Sequence, residues 1–158
     1  ANFLFVGARN PCPCGNLMSK NSICRCSDLE VRRYQNILSE PFWDRIDIYI
    51  AMQETSLDDE SSTSSEIMFN QVLQAFKKQI ERGQKNLNGR LSDEEIEQYI
   101  QLDLLSLDVL RKATERFNLS LRAVNKIKKV ARTIADLENS DEVLRDHVLE
   151  ALSFRRRF

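Results

Sequence analysis

The chain has 158 residues, of which 42% are apolar and 30% charged, and its formal net charge is -1. This composition is typical of one or two small globular units and excludes collagen-like and wholly disordered chains. Because positive and negative charges nearly balance, any contact with nucleic acid must be local. Four glycines and three prolines are too few for an all-β protein with many tight turns, so we expect a mainly α fold.

The chain opens with a short apolar run, Phe3-Leu4-Phe5-Val6, which Gly7 ends. Such aromatic and β-branched residues predict a short buried strand over residues 3–6. The run has neither the basic n-region nor the small-residue cleavage site of a signal peptide. No apolar run reaches the roughly twenty residues of a membrane-spanning helix. We therefore expect a cytoplasmic protein without membrane contact, and a chain that begins inside a longer one.

All four cysteines lie in two closely spaced pairs, Cys12-Pro13-Cys14 and Cys24-Arg25-Cys26. Two hairpins that each offer two thiolates can enclose a tetrahedral zinc ion, and Gly15 permits the positive φ of a metal-binding turn. Two disulfides or four free thiols are the alternatives, although disulfides are rare in a reducing compartment. Because four protein ligands leave no open coordination position, the zinc ion would be structural and would fix a loop.

A helix start and a second strand follow the cysteines. Ser27-Asp28-Leu29-Glu30 is a capping box, which predicts a short helix that ends near Leu38. Residues 46–52 alternate between apolar and polar side chains and predict a strand. Two strands alone form only a marginal sheet, so we expect the remaining strands to lie upstream of this chain.

The second part of the sequence predicts helices. Residues 53–66 carry five acids and no base, which indicates a solvated linker over residues 53–64. N-cap signals then recur at Thr63, Ser92, Ser120 and Ser140. The helices predicted from these signals cover about 65–85, 93–101, 104–117, 121–138 and 141–153.

The predicted helix over residues 121–138 combines an apolar stripe with a basic run. The stripe, which predicts a bundle seam, consists of Ala123, Ile127, Val130, Ile134 and Leu137. The basic run consists of Arg122, Lys126, Lys128, Lys129 and Arg132, without an acid between residues 120 and 133. Such a run either contacts phosphates or is the solvated face of an amphipathic helix.

Several motifs stand in a fixed order along nearly the whole chain. They are Val6-Gly7-Ala8-Arg9-Asn10-Pro11-Cys12-Pro13-Cys14-Gly15, Cys24-Arg25-Cys26-Ser27, Arg32-Arg33-Tyr34, Asp44-Arg45-Ile46-Asp47, Leu119-Ser120-Leu121-Arg122-Ala123 and Val130-Ala131-Arg132-Thr133-Ile134-Ala135-Asp136-Leu137. In combination they resemble the magnesium-chelatase-like AAA+ ATPases of the ComM type. The resemblance implies the C-terminal piece of an AAA+ α/β core over residues 1–52, the linker over 53–64 and an all-α helical lid over 65–158.

The resemblance also implies roles for three residues in the hydrolysis of ATP with Mg²⁺. Asn10 matches the sensor-1 position, which orients the attacking water, and Arg45 matches the arginine finger that reaches a neighbouring subunit. Arg122 matches sensor 2, and a cation in the first turn of a helix is tolerable where an anion binds. The alternatives are an Asn-Pro turn, a surface salt bridge of Arg45 with Asp44 or Asp47, and a solvent-exposed arginine.

A phosphate-binding P-loop, G-x-x-x-x-G-K-[ST], does not occur in this sequence. We therefore expect the chain alone to hydrolyse no ATP and to complete an active site only within the full protein. The resemblance implies a hexameric ring that acts on DNA, for example in branch migration during natural transformation. Two other functions stay open: the ATPase subunit of a metal-porphyrin chelatase, and a zinc-stabilised helical adaptor that hydrolyses nothing.

Overall fold

The computed structural model describes residues 3–55 and 62–155. The chain divides into two compact units, which we call the cysteine unit (Ala1–Ile46 with Ala51–Asp59) and the helical unit (Asp47–Ile50 with Glu60–Phe158). The described residues form seven α-helices: α1 (Asp28–Gln35), α2 (Glu40–Trp43), α3 (Ser65–Glu81), α4 (Asp93–Tyr99), α5 (Leu104–Phe117), α6 (Leu121–Leu137) and α7 (Arg145–Ser153). The mainly α fold expected from the composition is confirmed.

The two predicted strands, over residues 3–6 and 46–52, are not formed. Within the described ranges, the one β-bridge joins Leu102 and Val143, which belong to neither segment. A strand exists only where its backbone pairs with a neighbouring strand, and neither segment has one. The segment around Tyr49 is instead attached to the helical unit, where the Tyr49 amide donates to the Phe154 carbonyl at 2.8 Å.

The cysteine unit contains α1 and α2. The capping box that predicts α1 is present: the Ser27 hydroxyl accepts from the Glu30 amide, and the Glu30 carboxylate accepts from the Ser27 amide at 2.8 Å. The short helix α2 follows directly, with Pro41 in its first turn, where a missing N–H costs nothing. The sequence analysis did not predict α2, because a single turn is too short for apolar periodicity to be visible.

The helical unit begins with α3 at the position expected from the sequence, although its N-cap is Ser64 and not Thr63. Ser92 and Ser120 cap α4 and α6 as predicted. Asn118 ends α5 in the left-handed region, at φ 48°, which asparagine tolerates better than most residues. The predicted linker falls partly on residues 56–61, which lie outside the described residues.

The last helix starts later than predicted, at Arg145, and Ser140 is not its N-cap. Asn139 turns into the left-handed region at φ 58°, and the Ser140 amide then donates to the Ala135 carbonyl at 2.8 Å. Ser140 therefore belongs to the end of α6. At the start of α7, the Leu144 amide donates to Nδ1 of His147 at 3.0 Å.

The core of the helical unit lies around α6, which packs mainly against α7 and α3. The buried face of α6 differs from the predicted stripe. Ala123, Ile127 and Ile134 are buried as expected, whereas Leu137 is 40% exposed. Ala131 and Ala135, both fully buried, occupy the seam together with Ile127 and Ile134. Small side chains at these positions let neighbouring helices approach closely. A stripe predicted mainly from large apolar residues does not include them.

Candidate functional site

The four cysteine sulfurs of the cysteine unit converge, with all Sγ atoms within 4.8 Å of one another. The Sγ atom of Cys12 lies 3.4 Å from that of Cys14 and 3.7 Å from that of Cys24, and the Cys14–Cys24 distance is 3.6 Å. A regular tetrahedron of metal–sulfur bonds of about 2.3 Å places its sulfurs about 3.8 Å apart. All four thiols are free of disulfide bonds, so this arrangement can hold a metal ion.

A local turn places the first pair of sulfurs. The Gly15 amide donates to the Cys12 carbonyl at 3.1 Å, and Gly15 has a φ of 83°, which a residue with a Cβ adopts only at a cost. The second pair, Cys24 and Cys26, directly precedes the N-cap of α1. Cys12 is fully buried, so the cluster has one shielded side and one side open to solvent.

The thiols of the cluster are electrostatically unequal. The backbone amides of Asn16 and Arg25, together with the neighbouring thiols, lower the pKa of Cys14 to about 6. The pKa of Cys26 is raised to about 12, because the adjacent sulfurs and burial outweigh the lowering by the Cys14 backbone. At neutral pH only one of the four thiols is therefore favoured in its deprotonated, thiolate form. A bound cation would be needed to keep several of them deprotonated.

Asn10 lies two residues before the turn from Cys12 to Gly15 and is close to it. Its Nδ2 atom is 3.8 Å from the point where a Cβ on Gly15 would stand, which is van der Waals distance. The Asn10 side chain is exposed to solvent. The cysteine cluster thus fixes the backbone next to a polar group that remains accessible.

Arg45 follows α2, in the same unit as Asn10. Its amide donates to the Phe42 carbonyl at 3.0 Å, and its guanidinium donates to the Pro41 carbonyl at 2.6 Å. Asp47, one of the partners weighed from the sequence, pairs instead with Lys126 at 3.1 Å. The Arg45 side chain is exposed and bound to a backbone carbonyl that it can exchange for another acceptor.

Arg122 belongs to the other unit, where it is the second residue of α6. The Ser120 hydroxyl caps this helix by accepting from the Ala123 amide at 3.1 Å. The Arg122 side chain is exposed and stands in the first turn of a 17-residue helix. A cation at this point is next to the positive end of the helix dipole.

The basic run of α6 does not form one phosphate-contacting surface. Arg132 is 1% exposed and ion-paired with Asp136 at 3.0 Å, so it cannot reach a phosphate. Lys128 pairs with Glu97 at 2.7 Å, and Lys126 pairs with Asp47. The sequence analysis missed the buried pair, although the i,i+4 spacing of Arg132 and Asp136 was a signal for it.

Comparison with known proteins agrees with this picture. Residues 62–155 match the family described as magnesium chelatase, subunit ChlI C-terminal, and residues 1–60 match magnesium chelatase, subunit ChlI. The competence protein ComM of Haemophilus influenzae is 36% identical over 98% of this chain. The uncharacterized protein YifB of Escherichia coli is 35% identical over the same share.

The chain spans 31% of the length of these relatives. In the part of the chain that the structure describes, no helix is long and apolar enough to cross a membrane. The family matches together cover nearly every residue, and both relatives align with the cysteine cluster and the helical unit in one continuous stretch. The chain belongs to the magnesium-chelatase-like AAA+ family of the ComM type.

Proposed function

We propose that the chain completes the ATP site of a ring-shaped AAA+ ATPase by supplying the γ-phosphate sensor, the arginine finger and sensor 2, and that this ring acts on DNA. The observation that carries the proposal is the placement of Asn10 close to the turn from Cys12 to Gly15, within the same unit as Arg45. An accessible amide on a fixed backbone suits the orientation of a water molecule.

Each of the three residues has one task in this proposal. The Asn10 amide orients the attacking water, and the Arg45 guanidinium leaves the Pro41 carbonyl to contact the γ-phosphate held by a neighbouring subunit. Arg122, in the first turn of α6, contacts the phosphates of its own subunit. Bound ATP with Mg²⁺ supplies the phosphoryl group, and an arginine finger contributes roughly 10³- to 10⁵-fold to such a reaction.

Zinc is the metal we assign to the cysteine cluster. Four thiolates in a near-tetrahedral arrangement suit Zn²⁺ better than magnesium, which prefers oxygen ligands. The ion would lock the turn from Cys12 to Gly15 and thereby the backbone of Asn10. It would have no open coordination position and no direct part in the hydrolysis.

DNA is the proposed substrate because the motif resemblance implies it, and one relative is named as a competence protein. The description of the matched family favours a second candidate, an ATPase that drives the insertion of magnesium into a porphyrin. A zinc-stabilised adaptor without ATPase activity is the third. All three keep the turn from Cys12 to Gly15. Arg45 touches a nucleotide in the two ATPases and not in the adaptor.

The ATPase proposal is tested in a full-length protein that contains this chain together with a P-loop, assembled as a homo-hexamer. Arg45→Ala should abolish turnover and largely spare ATP binding, whereas Arg116→Ala, at an exposed arginine of α5, should leave both unchanged. Mixing the Arg45→Ala protein with a P-loop-inactive protein should restore part of the activity, because a finger acts in trans. Full turnover by Arg45→Ala would exclude this residue from the site and favour the adaptor.

The substrate is tested separately. We expect branched or single-stranded DNA to stimulate the ATPase of the intact protein several-fold, and a porphyrin with Mg²⁺ to leave it unchanged. Stimulation by porphyrin alone would replace DNA with the chelatase reaction. The 158-residue chain by itself should hydrolyse no ATP in either mixture, because it has no P-loop.

A further inference from the structure

Arg9, the residue before Asn10, lies between the end of α1 and the helix α2. Its guanidinium donates to the Tyr34 carbonyl and, at 3.5 Å, to the Gln35 carbonyl. These are carbonyl groups of the last turn of α1, and that of Tyr34 also accepts from the Ile37 amide at 3.3 Å. Arg9 therefore joins the segment of Asn10 to the C-terminal end of α1, where a cation is also favoured by the helix dipole.

The same guanidinium stacks on two aromatic rings. Its central carbon lies 4.4 Å from the ring centre of Tyr34 and 5.6 Å from that of Trp43. A cation over an aromatic face at such distances is attracted by the negative charge of the ring face. A planar guanidinium can bond two carbonyls and stack at the same time, which the point charge of a lysine cannot do.

Trp43 lies two residues before Arg45 and belongs to the same turn. The Arg45 amide donates to the Phe42 carbonyl, and the Ile46 amide donates to the Trp43 carbonyl, each at 3.0 Å. A second contact supports the same turn, because Phe5 meets the Phe42 ring edge-on with ring centres 6.1 Å apart. The segment that ends in Asn10 thus holds both residues whose carbonyls fix the turn at Arg45.

We propose that Arg9 is a positioning residue that clamps the turn carrying Arg45 to the segment carrying Asn10. The position of the arginine finger, which reaches a neighbouring subunit, then depends on the segment that carries the sensor of its own subunit. The clamp consists of Arg9, Tyr34 and Trp43. Its role in hydrolysis rests on the proposed function, whereas the clamp itself is a property of this chain. Arg9 touches no nucleotide and acts through Trp43 on Arg45.

The clamp is tested first in the 158-residue chain, in which Trp43 is the single tryptophan. Arg9→Ala should raise the acrylamide quenching constant of Trp43 fluorescence about twofold, because the ring loses its covering guanidinium. Arg9→Lys should give an intermediate value, since it keeps the charge and loses the bond to two carbonyls. Arg116→Ala, in the helical unit, should change nothing. Wild-type quenching in Arg9→Ala would overturn the clamp.

The positioning role is tested in the full-length hexamer with subunits whose own P-loop is inactive, because such subunits contribute only their finger. Wild-type subunits mixed with these should lose about tenfold in turnover when the inactive subunits also carry Arg9→Ala, since small misplacements of a reacting group cost about this much or more. Arg9→Lys should recover part of the loss, and the KM for ATP should stay the same. Unchanged turnover would overturn the positioning role.

The two proposals fail in different ways. If the wild-type hexamer hydrolyses no ATP, or if Arg45→Ala has no effect in the same mixed rings, the proposed function fails and the fluorescence result still decides the clamp. If Arg45→Ala in the inactive subunits lowers turnover and Arg9→Ala does not, the proposed function stands and Arg9 is not a positioning residue.

Discussion

Arg132 and Asp136 form an ion pair one turn apart on α6, and both side chains are shielded from solvent, with exposed fractions of 1% and 0%. Arg82, the C-cap residue of α3, forms a second ion pair with the same carboxylate, and the Asn88 side-chain amide donates to it at 2.8 Å. Arg132 also donates to the Ser140 carbonyl at 2.6 Å. One buried aspartate therefore joins α3, α6 and the loop that follows α6.

Replacing this aspartate should strongly destabilise the helical unit. Asp136→Asn leaves two guanidiniums without their shared carboxylate, and we expect the free energy of unfolding to fall by about 3–5 kcal/mol. The measurement is urea unfolding followed by circular dichroism at 222 nm. Asp108→Asn, which removes the exposed carboxylate between Arg111 and Lys112, should cost less than about 1 kcal/mol. Equal losses in both variants would contradict the buried network.

The buried face of α6 predicts a contrast between two of its apolar residues. Ile127 is 1% exposed, so Ile127→Ala should lower the free energy of unfolding by about 2–5 kcal/mol. Leu137→Ala at the exposed end of the same helix should lower it by less than about 1 kcal/mol. Thermal or urea unfolding by circular dichroism measures both. A larger loss of unfolding free energy in Leu137→Ala than in Ile127→Ala would contradict the observed buried face and favour the apolar stripe predicted from the sequence.

Metal analysis tests the cysteine cluster. We expect one zinc ion for each purified chain, with loss of the ion in Cys14→Ser and after treatment with a strong chelator. Ser22→Ala, in the same loop, should retain the full zinc content. A folded chain with four reactive thiols and no metal would refute the assignment.

The capping box of α4 predicts a pH dependence. The Ser92 amide donates to the Glu95 carboxylate at 2.8 Å and lowers the pKa of Glu95 below its ordinary value of 4.5. At a pH between the pKa of Glu95 in the folded chain and its pKa in the unfolded chain, the unfolded chain binds more protons than the folded one. The stabilisation by this hydrogen bond is therefore complete above the pKa of the unfolded chain. It is lost as the pH falls through the folded value. Unfolding free energies from pH 6 down to pH 3 should therefore fall more steeply in wild type than in Glu95→Gln.

Ser92→Ala is the matched control for this pH effect. It removes the hydroxyl cap and should cost about 1 kcal/mol at every pH. The Ser92 amide, the main cause of the lowered pKa of Glu95, is kept, so the steeper fall should persist. A wild-type slope in Glu95→Gln would show that another group carries the pH dependence.

Several helix starts were determined by the sequence itself, whereas the predicted N-caps Thr63 and Ser140 were wrong. Ser27, Ser92 and Ser120 cap their helices as predicted, because a cap is a contact between residues two or three positions apart. The convergence of the cysteines was predictable as well, since all four lie within 15 residues of sequence and each pair is separated by a single residue. The family resemblance, carried by short motifs in a fixed order, was confirmed as well.

Contacts between distant residues were decided only by the tertiary structure. Residues 3–6 and 46–52 have the composition of strands, yet a strand needs a neighbouring backbone, and the described residues offer none. The buried carboxylate of Asp136 pairs with Arg82, 54 residues away, and the position of Arg9 depends on Tyr34, 25 residues away. No spacing along the chain records such partners, because packing selects them only when separate elements meet.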